Sequence, residues 1–137
     1  MLLTDPADLR ELLERVRTIA VVGLSDNPSR DSHEVATYLA TRGYRILPVN
    51  PACDRVLGQP CYPDMLSLPE RPDLIDVFRK PDAVPAIVEE AIAIGAPAIW
   101  LQLGVVHADA ARRAVAAGID VVMDHCILIE HRRLFCD

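Results

Sequence analysis

The chain has 137 residues, which is enough for one domain with a sizeable hydrophobic core and too few for two. Its formal net charge of -6 argues against a large nucleic-acid surface or an anionic membrane as partner, since both need clustered positive charge. Hydrophobic residues make up 51% and aromatic residues only 4%, so the core is predicted to be aliphatic, as in strands buried on both faces. A small anion remains a compatible ligand, because it needs only a few N–H groups and one or two basic side chains.

Helical and extended patterns alternate along the chain. A first helix is predicted to begin at Asp5-Pro6, since aspartate is a good N-cap and proline suits the first helical position. A second is predicted to begin with Asp31 or Ser32 as the cap and to end at Gly43. Further helices are predicted over 81–94 and 107–117. The apolar spacing of 127–134 fits either a final helix or an extended tail. Strands are predicted at 18–23, 44–49, 73–78, 98–103 and 119–123.

This alternation predicts an α/β fold with a five-stranded parallel sheet, right-handed crossovers and helices on both faces. Two halves joined by a crossover predict the strand order 3-2-1-4-5. The whole chain, 1–137, is expected to form one domain. In such a sheet, ligands bind beyond the carboxyl ends of the strands, near the first strand, where the order reverses.

Neither targeting nor metal binding is indicated. No stretch is long and apolar enough to span a bilayer, and the N-terminus lacks the basic flank and apolar stretch of a signal peptide. We therefore expect a cytoplasmic protein, with its cysteines present as thiols. The spacing of these cysteines matches no zinc pattern, so no metal site is predicted. The four are Cys53, Cys61, Cys126 and Cys136.

The segment after the first strand is a candidate phosphate loop. The strand breaks at Gly23, crosses a short polar loop that begins Leu24-Ser25-Asp26, and enters a helix whose N-terminal N–H groups favour an anion. Ser25 can donate a hydrogen bond to a phosphate oxygen. Arg30 can make a forked contact with phosphate, or it can be an ordinary surface arginine.

The end of the second strand argues against a nicotinamide dinucleotide. Proteins that bind such cofactors place Asp or Glu there to accept hydrogen bonds from the ribose, and they use three glycines in the preceding loop. This chain has Asn50-Pro51 and one glycine. The same Asn-Pro pair also predicts a turn.

The remaining strand ends supply a short list of polar groups. Arg79 and Lys80 follow the third strand, where two adjacent cations can meet a phosphate or simply precede the next helix. Cys126 follows the fifth strand, either as a thiol activated near a helix start or, as is more common, as a small packing residue. His107 and His125 are the candidate bases, and neither has a partner at triad or metal spacing. Gln102 and Gly104 follow the fourth strand.

Six ordered segments resemble the stand-alone CoA-binding proteins, which are similar to the CoA-binding domain of succinyl-CoA synthetase alpha subunits. The resemblance covers the chain from about Thr18 to Leu134. The segments are Val21–Ser32, Gly43–Pro51, Leu57–Tyr62, Asp76–Arg79, Trp100–Gly104 and Met123–Glu130.

The resemblance implies a Rossmann-like domain that binds coenzyme A at the carboxyl edge of the sheet. It implies that the nucleotide part lies against Gly23 to Asp26, Asn50-Pro51 and Phe78 to Lys80. The region of Gln102 to Gly104 would lie toward the pantetheine end. Cys126 would place a thiol on the same edge, without an implied role. The ligase domain of the synthetases is expected to be absent, so the resemblance implies binding rather than ligase activity.

Three other functions stay open on the sequence. The chain could be the CoA-dependent subunit of a split acyl-CoA ligase, or a nicotinamide-dependent oxidoreductase. It could also be a redox module in which Cys126 forms a mixed disulfide with the CoA thiol. The sequence leaves a homodimer open, because the apolar tail around 127–135 can cover either the core or a twofold partner.

Overall fold

The computed structural model describes residues 1–135, so the predicted thiol of Cys136 lies outside the described residues. Five strands form one parallel sheet, and two short strands form a separate hairpin. The main strands are β1 (Thr18–Val22), β2 (Arg45–Val49), β5 (Leu74–Val77), β6 (Ala98–Leu101) and β7 (Asp120–Met123), and the hairpin is β3 (Arg55–Val56) and β4 (Gln59–Pro60). The helices are α1 (Pro6–Arg15), α2 (Asp31–Thr41), α3 (Val84–Ile94), α4 (Ala108–Ala116) and α5 (Ile127–Phe135).

The parallel sheet with helices on both faces confirms the predicted α/β, Rossmann-like fold. The spatial order is β2-β1-β5-β6-β7. Counting the short extended segment at Tyr62 as the third strand, since it makes a parallel bridge to Val49 at the outer edge of β2, gives the order 3-2-1-4-5-6. The strand that we expected third, 73–78, instead pairs with β1 on its other side.

Aliphatic side chains fill the space on each side of the sheet. On one face α1, α2 and α5 bury residues such as Leu12, Leu39 and Ile127 against the sheet. On the other face α3 and α4 bury residues such as Val88 and Ala114. Among the described residues, the layer under α3 and α4 contains no aromatic side chain, whereas the other layer contains the fully buried Trp100, with Tyr38, Tyr44, Phe78 and Phe135 packed against it.

The helix ends agree with the sequence in most places. The Asp5 carboxylate accepts the Ala7 N–H at 2.9 Å and caps α1 as predicted. The prediction for α2 was wrong, because its N-cap is Arg30, which makes no side-chain cap bond. Ser32 lies inside the first turn of α2 and accepts a bond from the preceding loop instead. The undecided segment at the chain's end is a helix, α5.

Two 3-10 turns lie in the connections between the described helices and strands. A 3-10 turn at Pro81–Ala83 precedes α3, so the helix predicted over 81–94 begins with a tighter turn. Another 3-10 turn, Met65–Ser67, lies between the hairpin and β5, and the Asp64 carboxylate caps it. Between residues 1 and 135, no helix has the length and hydropathy needed to cross a bilayer.

Candidate functional site

The loop after β1 and the segment after β5 meet at Gly23. Its N–H donates to the Val49 carbonyl at 2.8 Å, and its φ of 87° lies in the left-handed region. A Cβ atom there would lie 2.2 Å from the Phe78 carbonyl oxygen and 3.4 Å from Cδ of Arg79. The glycine is therefore required by both backbone conformation and close approach, and it brings Phe78 and Arg79 against the phosphate-loop candidate.

Side-chain hydrogen bonds fix the loop that follows Gly23. The Ser25 N–H donates to the Ser32 hydroxyl at 3.0 Å, and the Ser25 hydroxyl accepts the Asn27 N–H at 3.0 Å. The Asn27 side-chain oxygen in turn accepts the Ser29 N–H at 3.0 Å. These bonds hold the loop against the first turn of α2, whose leading amides have no partner inside the helix. A hydroxyl that accepts a hydrogen bond can also donate its own proton, so Ser25 can serve as a donor to an oxygen atom.

Asn50 ties the loop after β2 to the loop after β1. Its side-chain N–H donates to the Leu24 carbonyl at 3.1 Å, and its side-chain oxygen accepts the Ala52 N–H at 2.9 Å. Both polar ends of the amide thus hold the backbone together, which sequence analysis did not foresee. Pro51 is exposed beside it, while Leu24 is fully buried.

Three cations surround this loop region without acidic partners. Arg79 is half-buried, whereas Arg30 and Lys80 are exposed, and none of them forms an ion pair with any residue from 1 to 135. By contrast, arginines such as Arg45 and Arg113 are paired with glutamates. The loop also carries carboxylates at Asp26 and Asp31, so local attraction for an anion depends on the three cations. They are Arg30, Arg79 and Lys80.

The ends of β6 and β7 form a second group of predicted site residues. The buried Gln102 uses its side-chain oxygen to accept the Ile127 N–H at 3.2 Å, which fixes the start of α5. The Gly104 N–H donates to the Asp124 carboxylate at 2.7 Å. The sheet joins this group to the first, since the Gln102 N–H points to the Val77 carbonyl at 3.4 Å.

The predicted thiol and the two histidines have structural contacts of their own. The Cys126 carbonyl accepts the Glu130 N–H at 3.0 Å at the start of α5, and its thiol is free and half-buried. Nδ1 of His125 lies 3.4 Å from a carboxylate oxygen of the buried Glu130. Nδ1 of His107 accepts the Ala110 N–H at 3.0 Å and caps α4.

The cap contact predicts the effect of changing His107. Replacing His107 with alanine should lower the free energy of unfolding by about 1 kcal/mol, because the Ala110 N–H loses its acceptor. Asparagine, a good N-cap, should recover most of this loss. Urea unfolding of both variants tests the assignment, and equal losses for alanine and asparagine would contradict it.

Asp76 is a buried acid that sequence analysis missed. It lies on β5 between Val21 and Trp100 on the neighbouring strands, and it is fully buried. Neither carboxylate oxygen has a hydrogen-bond partner among the described residues, and burial raises the pKa of Asp76 well above its ordinary value. The signal was present in the sequence, as a single acid inside the apolar run Leu74-Ile-Asp-Val77.

Two apolar grooves lie away from these loops. One of about 350 Å³ lies between α3 and α4, and another of about 470 Å³ lies beside α4, Leu2 and Met123. The arginine of the first groove, Arg113, is paired with Glu89. Within residues 1–135, no group of three or more His, Cys, Asp or Glu side chains is arranged to hold a metal ion.

Comparison with known proteins identifies the family. A family model described as a CoA binding domain matches residues 17–132. The chain belongs to this family. It is 38% identical over 125 residues to YneT of Bacillus subtilis, covering 91% of this chain and 93% of YneT. These matches confirm the resemblance to stand-alone CoA-binding proteins.

Larger relatives and solved structures agree with this family. Acetate–CoA ligase [ADP-forming] II of Archaeoglobus fulgidus is 30% identical over 85 residues, which are 61% of this chain and 12% of the ligase. The chain is thus related to a small part of that enzyme. A solved structure from Pyrococcus horikoshii has 40% identity and a TM-score of 0.93, covering 96% of this chain and 92% of that one.

Proposed function

We propose that this CoA-binding domain protein binds coenzyme A or an acyl-CoA at the carboxyl edge of its sheet, without catalysing a reaction by itself. The observation that carries the proposal is the half-buried Arg79, which runs beside Gly23 and has no acidic partner between residues 1 and 135. Family membership supports CoA as the ligand.

The chemistry of the ligand suits this edge. Coenzyme A carries a diphosphate and a further phosphate on its ribose, so it presents several negative charges over a short span. A guanidinium can fork onto phosphate oxygens, and a partly buried one is less screened by solvent than an exposed one. Arg79 is the partly buried guanidinium of this region, and the exposed Arg30 and Lys80 add positive charge around it. In a chain of net charge -6, this local excess favours a small anionic ligand.

The surroundings of the candidate bases support binding without catalysis. Nδ1 of His107 already accepts the Ala110 N–H in the cap of α4. His125 faces Glu130, and Glu130 also pairs with Arg133. These contacts place His107 at the N-cap of α4 and His125 beside Glu130 in the first turn of α5. Gln102, predicted toward the pantetheine end, likewise holds the start of α5.

Replacing Arg79 with glutamine is expected to weaken CoA binding about 10- to 100-fold, because a charge-assisted hydrogen bond to phosphate is lost. Isothermal titration calorimetry measures the change. Arg71→Gln is the matched control, since Arg71 is exposed beside the Gly95 carbonyl, before β5 begins, and should leave the affinity unchanged. Equal affinities of the wild type and Arg79→Gln would remove Arg79 from the site.

The same titrations decide the ligand class. CoA, acetyl-CoA, 3′-dephospho-CoA and NAD are compared at up to millimolar concentration. Binding of either CoA form supports the proposal, and tighter binding of NAD would favour the nicotinamide-dependent oxidoreductase instead. No heat with CoA and acetyl-CoA would overturn the proposed function.

A second candidate is the CoA-dependent subunit of a split acyl-CoA ligase. It is favoured by the 30% identity to part of an ADP-forming acetate–CoA ligase. In that case the remaining ligase parts are supplied by another chain. Native affinity purification followed by mass spectrometry tests this candidate, and recovery of the protein without a ligase subunit would count against it.

A further inference from the structure

Two cysteines lie at the base of the hairpin that follows β2. The Asn50 carbonyl accepts the Cys53 N–H at 3.3 Å and faces the Cys61 sulfur at 3.5 Å. The Cys61 N–H donates to the carbonyl of Asp54, the residue next to Cys53, at 2.9 Å. One shared acceptor and one adjacent backbone bond therefore make the two cysteines neighbours across the base of the hairpin. Both are free thiols and half-buried.

The electrostatics of Cys61 support this proximity. Burial raises the pKa of the Cys61 thiol, and the next contribution in the same direction comes from the charge of Cys53. The Asn50 carbonyl bond acts in the opposite direction, and Asp26 and Asp54 add smaller upward contributions. The pair lies beside the loop that follows β1, because Asn50, whose carbonyl both cysteines contact, also donates its side-chain N–H to the Leu24 carbonyl.

We propose that Cys53 and Cys61 form a reversible disulfide that closes the hairpin loop beside the candidate ligand site. The oxidant is a low-molecular-weight aliphatic disulfide, RSSR. One cysteine thiolate attacks RSSR and displaces one RS⁻, and the other thiolate then attacks the mixed disulfide and displaces the second. Two cysteine thiols and RSSR thus become one protein disulfide and two RSH.

A disulfide between Cys53 and Cys61 would close the loop next to Asn50, a residue whose hydrogen bonds hold the neighbouring segments together. Asn50 bonds Leu24 through its side chain and Tyr62 through its backbone N–H. Oxidation removes the Cys61 S–H donor from the Asn50 carbonyl, while the new covalent bond keeps Cys61 and Cys53 together. The disulfide therefore restricts the unfolded chain and holds the segment between β2 and the Tyr62 bridge in place.

Peptide mapping tests the pairing without any CoA ligand, so its failure is separate from failure of the proposed function. The protein is incubated with oxidised glutathione, its remaining thiols are blocked with iodoacetamide, and it is digested with trypsin without reductant. Trypsin cleaves after Arg55, which lies between the two cysteines, but it does not cleave after Arg71, because Pro72 follows. A disulfide joins the tryptic peptides 46–55 and 56–79.

The linked peptide is expected in the wild type and in Cys126→Ser, and it should disappear after reduction. It should be absent in Cys53→Ser and Cys61→Ser. Oxidation should also raise the wild-type Tm by roughly 5–10 °C, with no such rise in Cys53→Ser. Glutathione adducts on both cysteines without a linked peptide would overturn the proposal, as would linkage of either one to Cys126 or Cys136.

Discussion

Asparagine in place of Asp76 is expected to stabilise the protein at neutral pH, by an amount that grows as the pH rises. Burial raises the pKa of the Asp76 carboxyl well above its ordinary value, so the folded protein retains this proton to a higher pH than the unfolded chain does. Below the ordinary pKa of about 4, both the folded and the unfolded states hold the proton, so the acid imposes no ionisation cost. Above it, only the unfolded chain releases the proton. Stability then falls by about 1.4 kcal/mol per pH unit until the folded pKa is reached.

Urea unfolding between pH 4 and pH 8 measures this effect. Asp76→Asn cannot ionise, so its free energy of unfolding should lack the steep decline of the wild type. Asp73→Asn is the matched control on the same segment, because the Asp73 carboxylate accepts the N–H groups of Arg17 and Thr18 at 2.9 and 3.1 Å. That substitution should destabilise the protein. Parallel pH profiles for the wild type and Asp76→Asn would contradict the prediction.

Aliphatic patterning explains why the sheet and both helix layers were predictable. Continuous apolar runs such as that of β1 fit only strands covered on both faces, and alternating helices require parallel pairing. The position of β5 was harder to predict, because a single parallel bridge at Tyr62 fills the outer place beside β2. A one-residue bridge leaves no hydrophobic periodicity for sequence analysis to detect.

The sequence predicted which residues lie near one another at the candidate site, but it did not predict the hydrogen bonds that they make. Gly23 and Arg79 follow the carboxyl ends of neighbouring parallel strands, so the topology places them at the same edge of the sheet. The amides of Asn50 and Gln102 are instead engaged with backbone groups from distant parts of the chain. Such bonds depend on how loops cross in space, which local propensity does not encode. Asp76 differs, since an acid inside an apolar strand is visible in the sequence.

Alanine in place of Gly23 is expected to have the largest destabilising effect in the loop region, about 3–5 kcal/mol. The left-handed backbone at φ 87° costs an L-residue about 1–2 kcal/mol. The remainder comes from the Cβ atom, which would lie 2.2 Å from the Phe78 carbonyl oxygen. Because that oxygen belongs to the backbone, the clash is relieved only by moving the end of β5, and Arg79 moves with it.

Gly43→Ala separates the two causes. Gly43 has a similar φ of 92°, yet a Cβ atom there meets no atom of the described residues within 4 Å. That variant should lose only about 1–2 kcal/mol and retain wild-type CoA affinity, since it bears the conformational cost alone. Gly23→Ala should lose both stability in urea unfolding and CoA binding in calorimetry under conditions where it remains folded. Equal stability losses in the two variants would show that the close approach of Phe78 to Gly23 contributes nothing, and the steric explanation of the single-glycine loop would then be wrong.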